Sequence, residues 1–185
     1  AGPIDRLQRF VKDLSGLQSL SSPQTLTGPI RITWGIFKKF VVADTLALIA
    51  LNATNAAQVK TGGWIWVLLY AYAFRIYFDF SGYTDIAIGL GKLMGFNLPE
   101  NFERPYLKPN LTTFWNSWHI SLAQWFRVYW FNPLTRSLRA GKWQPPMWVV
   151  ILIGQVTTML LIGWWHGLTW NFAADYATNL ILAHE

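Results

Sequence analysis

Two internal histidines are the side chains of this 185-residue chain best suited to chemistry near neutral pH: His119 in the string FWNSWHISLAQWFR and His166 in GWWHGLTW. An imidazole held neutral can take a proton from a hydroxyl as that hydroxyl attacks a carbonyl, and at membrane depth a histidine is costly unless it has a partner or a task. From composition alone the favoured reading of either residue is a hydrogen-bonded packing partner between helices, with catalysis as the alternative. The third histidine, His184, reads as a solvated end residue. No His-x-x-x-His pair occurs and no carboxylate accompanies either internal histidine at helical spacing, so no metal site is expected. The absence of Cys removes thiolate ligands, disulfides and a Cys nucleophile together. Walker loops, dinucleotide fingerprints and Gly-x-Ser-x-Gly elbows are also missing.

A second polar group, Asp79, Ser81, Tyr83, Thr84 and Asp85, crowds around Gly82 inside a hydrophobic segment. It could line a cavity. The expectation favoured by composition is a charge-paired break in a helix, with Asp, Ser and Thr side chains satisfying the freed backbone. Arg75 and Asp79, four apart, are spaced to pair on one helix face.

The elements that must position these residues belong to a membrane chain. Charged residues make up 13% of the sequence against about a quarter in a soluble domain, while 52% is hydrophobic and Trp occurs 12 times. The expected fold class is all-α, with polytopic membrane helices and a re-entrant or interfacial amphipathic helix. Spans are expected near 40–58, 64–90, 147–165 and 168–183; the third is an uncharged run, with Gln155, Thr157 and Thr158 expected to face other helices. Gly163 and Gly167 have a spacing that permits close helix approach. Residues 1–30, with breakers at Ser21-Ser22-Pro23 and Gly28-Pro29, read as an extramembrane approach holding one short amphipathic helix.

Charge alternates with apolarity along the chain. Net charge is +4 over residues 1–60, −1 over 61–91, +5 over 92–142 and −2 over 143–185. No basic run exceeds Lys38-Lys39, so no phosphate-tracking stripe exists and nucleic acid is not an expected partner. Basic segments between apolar ones place 1–39 and 92–142 on the cytoplasmic side. Within the second of these, Pro99, Pro105 and Pro109 predict loop, and the period of Trp115, Trp118, Leu122, Trp125, Phe126 and Tyr129 predicts one helix over 111–129 with His119 on its apolar side.

Four strings go beyond composition: FDFSGYTDIAIG at 78–89, GFNLPENFERPYL at 95–107, FWNSWHISLAQWFR at 114–127 and GWWHGLTW at 163–170. In this order and spacing the chain resembles the membrane-bound O-acyltransferase family, in its bacterial branch of alginate O-acetylation and teichoic-acid D-alanylation proteins. Family members are much longer, which implies that residues 1–185 form a partial domain, an interior segment inactive on its own.

The family's Trp-His-Gly motif falls on Trp165-His166-Gly167 and its Trp-His-Ile-Ser motif on Trp118-His119-Ile120-Ser121. The resemblance implies His166 as catalytic base and His119 as a second active-site residue, with Trp118, Trp165, Asp79, Tyr83, Asp85 and Arg127 as candidates for a substrate tunnel. It implies no tightly bound cofactor, an acyl-CoA or acyl-carrier thioester as donor, and a cell-envelope polysaccharide or related polymer as acceptor, with an extracytoplasmic partner protein as a further expectation. The expected setting is the lipid bilayer of the cytoplasmic membrane. A tetrahedral oxyanion would need a Trp indole, a protonated His or backbone amides. Two departures stand out: Val128 follows Arg127 where many relatives have an acidic residue, and the stretch after Phe172 differs from the family's usual continuation. The competing expectation is a non-enzymatic channel or transporter segment in which Arg75, Asp79 and Asp85 line a pathway.

Overall fold

A computed structural model describes residues 2–5, 7–15, 23–59, 61–141 and 145–167. Among them every regular element is helical; the one sheet-like contact is an isolated antiparallel bridge between Phe102 and Trp118. The chain divides into two compact units, Ala1–Ala123 and Gln124–Glu185. The expected span 168–183 and His184 lie outside the described residues.

The first unit is organised by two antiparallel helical rods. One begins with helix α2 (Pro23–Ile36), passes through a π-helical segment (Phe37–Ala43) and ends as α3 (Asp44–Ile49). Ile36 and Asp44 keep helical dihedrals on either side of the π segment, so the rod is continuous, and Ala50, with ψ 148°, ends it. Residues 40–58 are therefore not one helix: after that turn a separate short helix, α4 (Ala53–Gln58), begins on an Asn52–Asn55 capping box. The expected breaker Gly28-Pro29 lies inside α2, while Pro23 occupies its first position, where a missing N–H costs nothing. Upstream, α1 (Leu7–Ser15) is the expected short helix.

The second rod, α5 (Gly62–Leu93), is one unbroken helix of 32 residues, roughly 48 Å long. This overturns the expected helix break at 79–85. The first rod packs closely along it: a Cβ on Gly35 would lie 2.6 Å from the Gly82 carbonyl oxygen, and one on Gly82 would lie 2.7 Å from that of Gly35. Two turns away the relation repeats between Gly28 and Gly89, at 2.9 and 2.8 Å. Glycine costs about 1 kcal/mol in a helix interior, but here it lets the two backbones touch, as small residues do in membrane helix pairs.

Charge completes that interface. Asp85 on α5 accepts from Arg31 Nε (2.9 Å) and Lys38 Nζ (2.6 Å) of the first rod, and Asp79 pairs with Lys39 rather than with Arg75. The basic segments expected on one side of the membrane touch each other: Arg31 holds Glu100, Arg9 donates to the Asn97 carbonyl (3.1 Å), and Phe10 stacks on Phe96 at 5.6 Å.

Residues 94–110 form the expected loop, with a short 3₁₀ turn at Pro105–Leu107. The single helix expected over 111–129 is instead interrupted. Helix α6 (Leu111–Trp115) stops, the chain turns over residues 116–119, and α7 (Ile120–Phe126) starts afresh.

In the second unit a π-helical segment (Arg127–Phe131) leads into α8 (Asn132–Ala140), and α9 (Met147–Gly167) packs back on them. Gly154 faces the Phe131 ring and Thr135, so closely that a Cβ there would lie 2.6 Å from Phe131. Thr157 accepts from the Trp130 indole at 3.1 Å, meeting the expected interhelical role, whereas Thr158 bonds its own helix and Gln155 is exposed. Among the described residues nothing lies within 4 Å of a Cβ built on Gly163, and the close approach in this unit falls at Gly154. Met147–Trp164 is, among the described residues, the one helix long and apolar enough to cross a membrane.

Candidate active site

His119 is 6% exposed and sits on a left-handed backbone with φ 46°, unusual for a residue with a Cβ. Such a conformation costs of order 1–3 kcal/mol and persists only where its surroundings fix it. They do so here through Asn101, which is fully buried. The Asn101 carbonyl accepts from Ile120 N–H at 3.0 Å, and its side-chain oxygen accepts from the Ser121 N–H (3.3 Å) and the Ser121 hydroxyl. The amide nitrogen donates to Thr84 Oγ1 on α5 at 3.5 Å. The first two N–H groups of α7 are thus capped from a remote loop.

The neighbouring contacts reinforce it. Glu103 N–H donates to the Ser117 carbonyl (3.1 Å), Phe102 bridges Trp118, and Ile4 N–H donates to Ser121 Oγ (3.0 Å). The Phe80 ring meets the imidazole edge to face at 4.8 Å, and Phe102 packs on Phe80 at 5.0 Å and on Trp118 at 5.1 Å. Trp118 lies in an aromatic cluster with Phe114 and Tyr106, whose hydroxyl donates to the Ala73 carbonyl at 3.0 Å. Burial, and then the neighbouring Tyr77, push the Tyr106 phenol above its usual pKa, which keeps it a donor.

On the other side of Phe102 is a polar cavity of about 280 Å³, lined in part by Asp85, Arg31, Lys38 and the 100–104 loop. Arg31 bridges Asp85 and Glu100, the latter in a two-point pairing. Burial alone would lower its pKa, but the hydrogen bonds and charge of Glu100, followed by those of Asp85, raise it above the ordinary arginine value. Arg104, at the cavity, is the second non-glycine residue with positive φ (47°).

The first unit brings part of the expected set together. His119, Trp118 and Asp85 belong to one neighbourhood of the first unit, joined through Phe102 and through Thr84–Asn101. Asp79 and Tyr83 sit on α5 too, but both are exposed and neither lines the cavity. Arg127 opens the π segment of the second unit and is exposed. His166 and Trp165 lie near the end of α9, with side chains outside the described residues. Sequence reasoning missed Asn101 and Ser121 as holders of His119. The available signal was the pair of prolines, Pro99 and Pro105, that brackets Asn101 in the string NLPENFERP.

Comparison with known proteins bears on what this neighbourhood is. The chain matches the family model described as MBOAT, membrane-bound O-acyltransferase family, over residues 42–180. It is similar to the probable alginate O-acetylase AlgI of Pseudomonas syringae pv. tomato, 41% identical over 167 residues that cover 90% of this chain and 30% of that protein. Teichoic acid D-alanyltransferase of Bacillus subtilis is 36% identical over 171 residues, 91% of this chain and 43% of its own length. Peptidoglycan O-acetyltransferase of Helicobacter pylori is 36% identical over 176 residues, 93% of this chain and 32% of its own. The chain thus spans less than half the length of each of these relatives. The family match takes in both histidine strings, and the sequence similarity extends over nearly all of the residues given. The chain belongs to the membrane-bound O-acyltransferase family.

Proposed function

We propose that the complete protein is a multi-pass O-acyltransferase of the cytoplasmic membrane that moves an acyl group, acetyl in the first instance, from a cytoplasmic thioester to a hydroxyl of a cell-envelope polysaccharide or related polymer. The observation that carries this reading is the family match across both histidine strings. It is supported by relatives named for transfer to alginate, teichoic acid and peptidoglycan. His166 acts as general base: its neutral imidazole takes the acceptor's hydroxyl proton, the oxygen attacks the thioester carbonyl, and collapse of the tetrahedral intermediate expels the thiolate. The thiolate leaves with the proton from the imidazolium. His119, buried and fixed on its strained backbone, is the second active-site residue. An extracytoplasmic partner hands over the polymer.

Acyl transfer by the complete protein, with and without His166→Ala, tests the proposal. The same protein in vesicles distinguishes the competing channel reading, which requires solute flux with no acyl donor present.

A further inference from the structure

We propose that the tip of the second unit's helical hairpin, at Arg136 and Arg139, is a docking surface for the headgroups of anionic phospholipids. The register of the hairpin places these residues. The Trp130 indole donates to Thr157, and the Phe131 ring and Thr135 meet Gly154, so the π segment and α8 run antiparallel to α9. Continued toward the tip, that register brings Arg136 level with the second turn of α9 and Arg139 level with the first, where Met147 and Trp148 open the membrane-length run. The basic pair therefore stands at the end of the span. An arginine there has a stem long enough to carry its guanidinium into the headgroup layer.

Leu134 and Leu138 of α8 are half-buried, whereas Arg136, Ser137, Arg139 and Ala140 are exposed, so the helix turns its basic face outward. Arg136 and Arg139, three apart, are neighbours on that face. Neither has an ion pair or a side-chain hydrogen bond among the described residues. No Asp or Glu occurs in the sequence between Glu103 and Asp175, so the described part of this unit contains no carboxylate to take them, and Lys142 adds a further cation three residues on.

Beside these cations lie exposed Met147 and Trp148, the latter 68% exposed. A phospholipid matches both features, with phosphate for the guanidiniums and the boundary of the acyl chains for the thioether and the indole. An acidic protein segment or a nucleic acid would meet the charge and leave the apolar pair uncovered. The inference requires α9 to cross the bilayer and is independent of the acyl-transfer reaction.

Lipid contact can be read at this position without turnover. The complete protein is reconstituted in phosphatidylcholine vesicles with a trace of phosphatidylglycerol or of phosphatidylcholine, each carrying the same diazirine near the ester end of one acyl chain. Crosslinks to residues 145–152 are then quantified by mass spectrometry. Each arginine should favour the anionic lipid roughly fivefold, so the phosphatidylglycerol yield should exceed the phosphatidylcholine yield by about tenfold or more, and the ratio should decline with added salt. Arg136→Gln together with Arg139→Gln should lower that ratio about tenfold, whereas Arg136→Lys with Arg139→Lys should keep it, because charge is what attracts the headgroup. Equal yields in the folded wild type, or a ratio unchanged by the paired glutamine substitutions, would overturn the proposal. Absence of crosslinks from both lipids would also overturn it, and would mean that protein covers the tip.

Discussion

The side-chain oxygen of Asn101 accepts from both the backbone N–H and the hydroxyl of Ser121, twenty residues further along the chain. With the Asn101 carbonyl on Ile120, this pins the two residues that follow His119 and so fixes the imidazole's backbone. Asn101→Ala removes the side-chain bonds and leaves Thr84 and Ser121 without them. The expected cost is about 2 kcal/mol, read from chemical denaturation of the complete protein, together with a fall in kcat at nearly unchanged KM. A loss of stability with kcat preserved would show that Asn101 supports the fold and not the imidazole.

His119 itself separates backbone strain from chemistry. Glycine relieves a φ of 46° and alanine does not, so His119→Gly should be more stable than His119→Ala by roughly 1 kcal/mol. Both should be equally impaired in acyl transfer if the imidazole is what the site requires. Thermal unfolding and turnover of the two variants check the two halves independently.

Much of the fold was legible in the residues: an all-helical chain, a proline-marked loop before 111, and an uncharged membrane-length helix from Met147. The helical period of Trp115, Trp118 and Leu122 runs across the turn at 116–119, and nothing local announces the break. It exists because Asn101, distant in sequence, supplies the cap for α7. Gly28-Pro29 failed as a breaker for a related reason, since Gly28 is needed where α2 touches Gly89. Lys39 takes Asp79 from Arg75 because the neighbouring rod brings an ammonium alongside. In each case a tertiary partner outweighed the local preference.

The contact of Gly35 with Gly82 predicts non-additivity. A Cβ at either position meets backbone oxygen, which cannot swing aside, so Gly35→Ala and Gly82→Ala should each cost about 1–3 kcal/mol. Once one methyl has pushed the rods apart, the second meets less resistance. The double variant should therefore cost clearly less than the sum, as a double-mutant cycle on unfolding free energies would reveal.

Asp85 and Asp79 both join the rods, yet they should not matter equally. The Asp85 side chain is 13% exposed and holds two cations, whereas that of Asp79 is 53% exposed and holds one. Asp85→Ala leaves half-buried Lys38 without its partner and Arg31 with Glu100 alone, and should destabilise by about 1–3 kcal/mol. For Asp79→Ala the expected loss is below about 1 kcal/mol. Denaturation midpoints of the two variants, compared at one ionic strength, decide the order.

The most direct test of the acyltransferase account is turnover by the complete, correctly inserted protein carrying His166→Ala, with its own acyl donor and polymer acceptor. Loss of a general base predicts a fall in kcat of about 100-fold or more, with the protein's expression and unfolding temperature unchanged. Wild-type turnover in that variant would contradict the role given to His166.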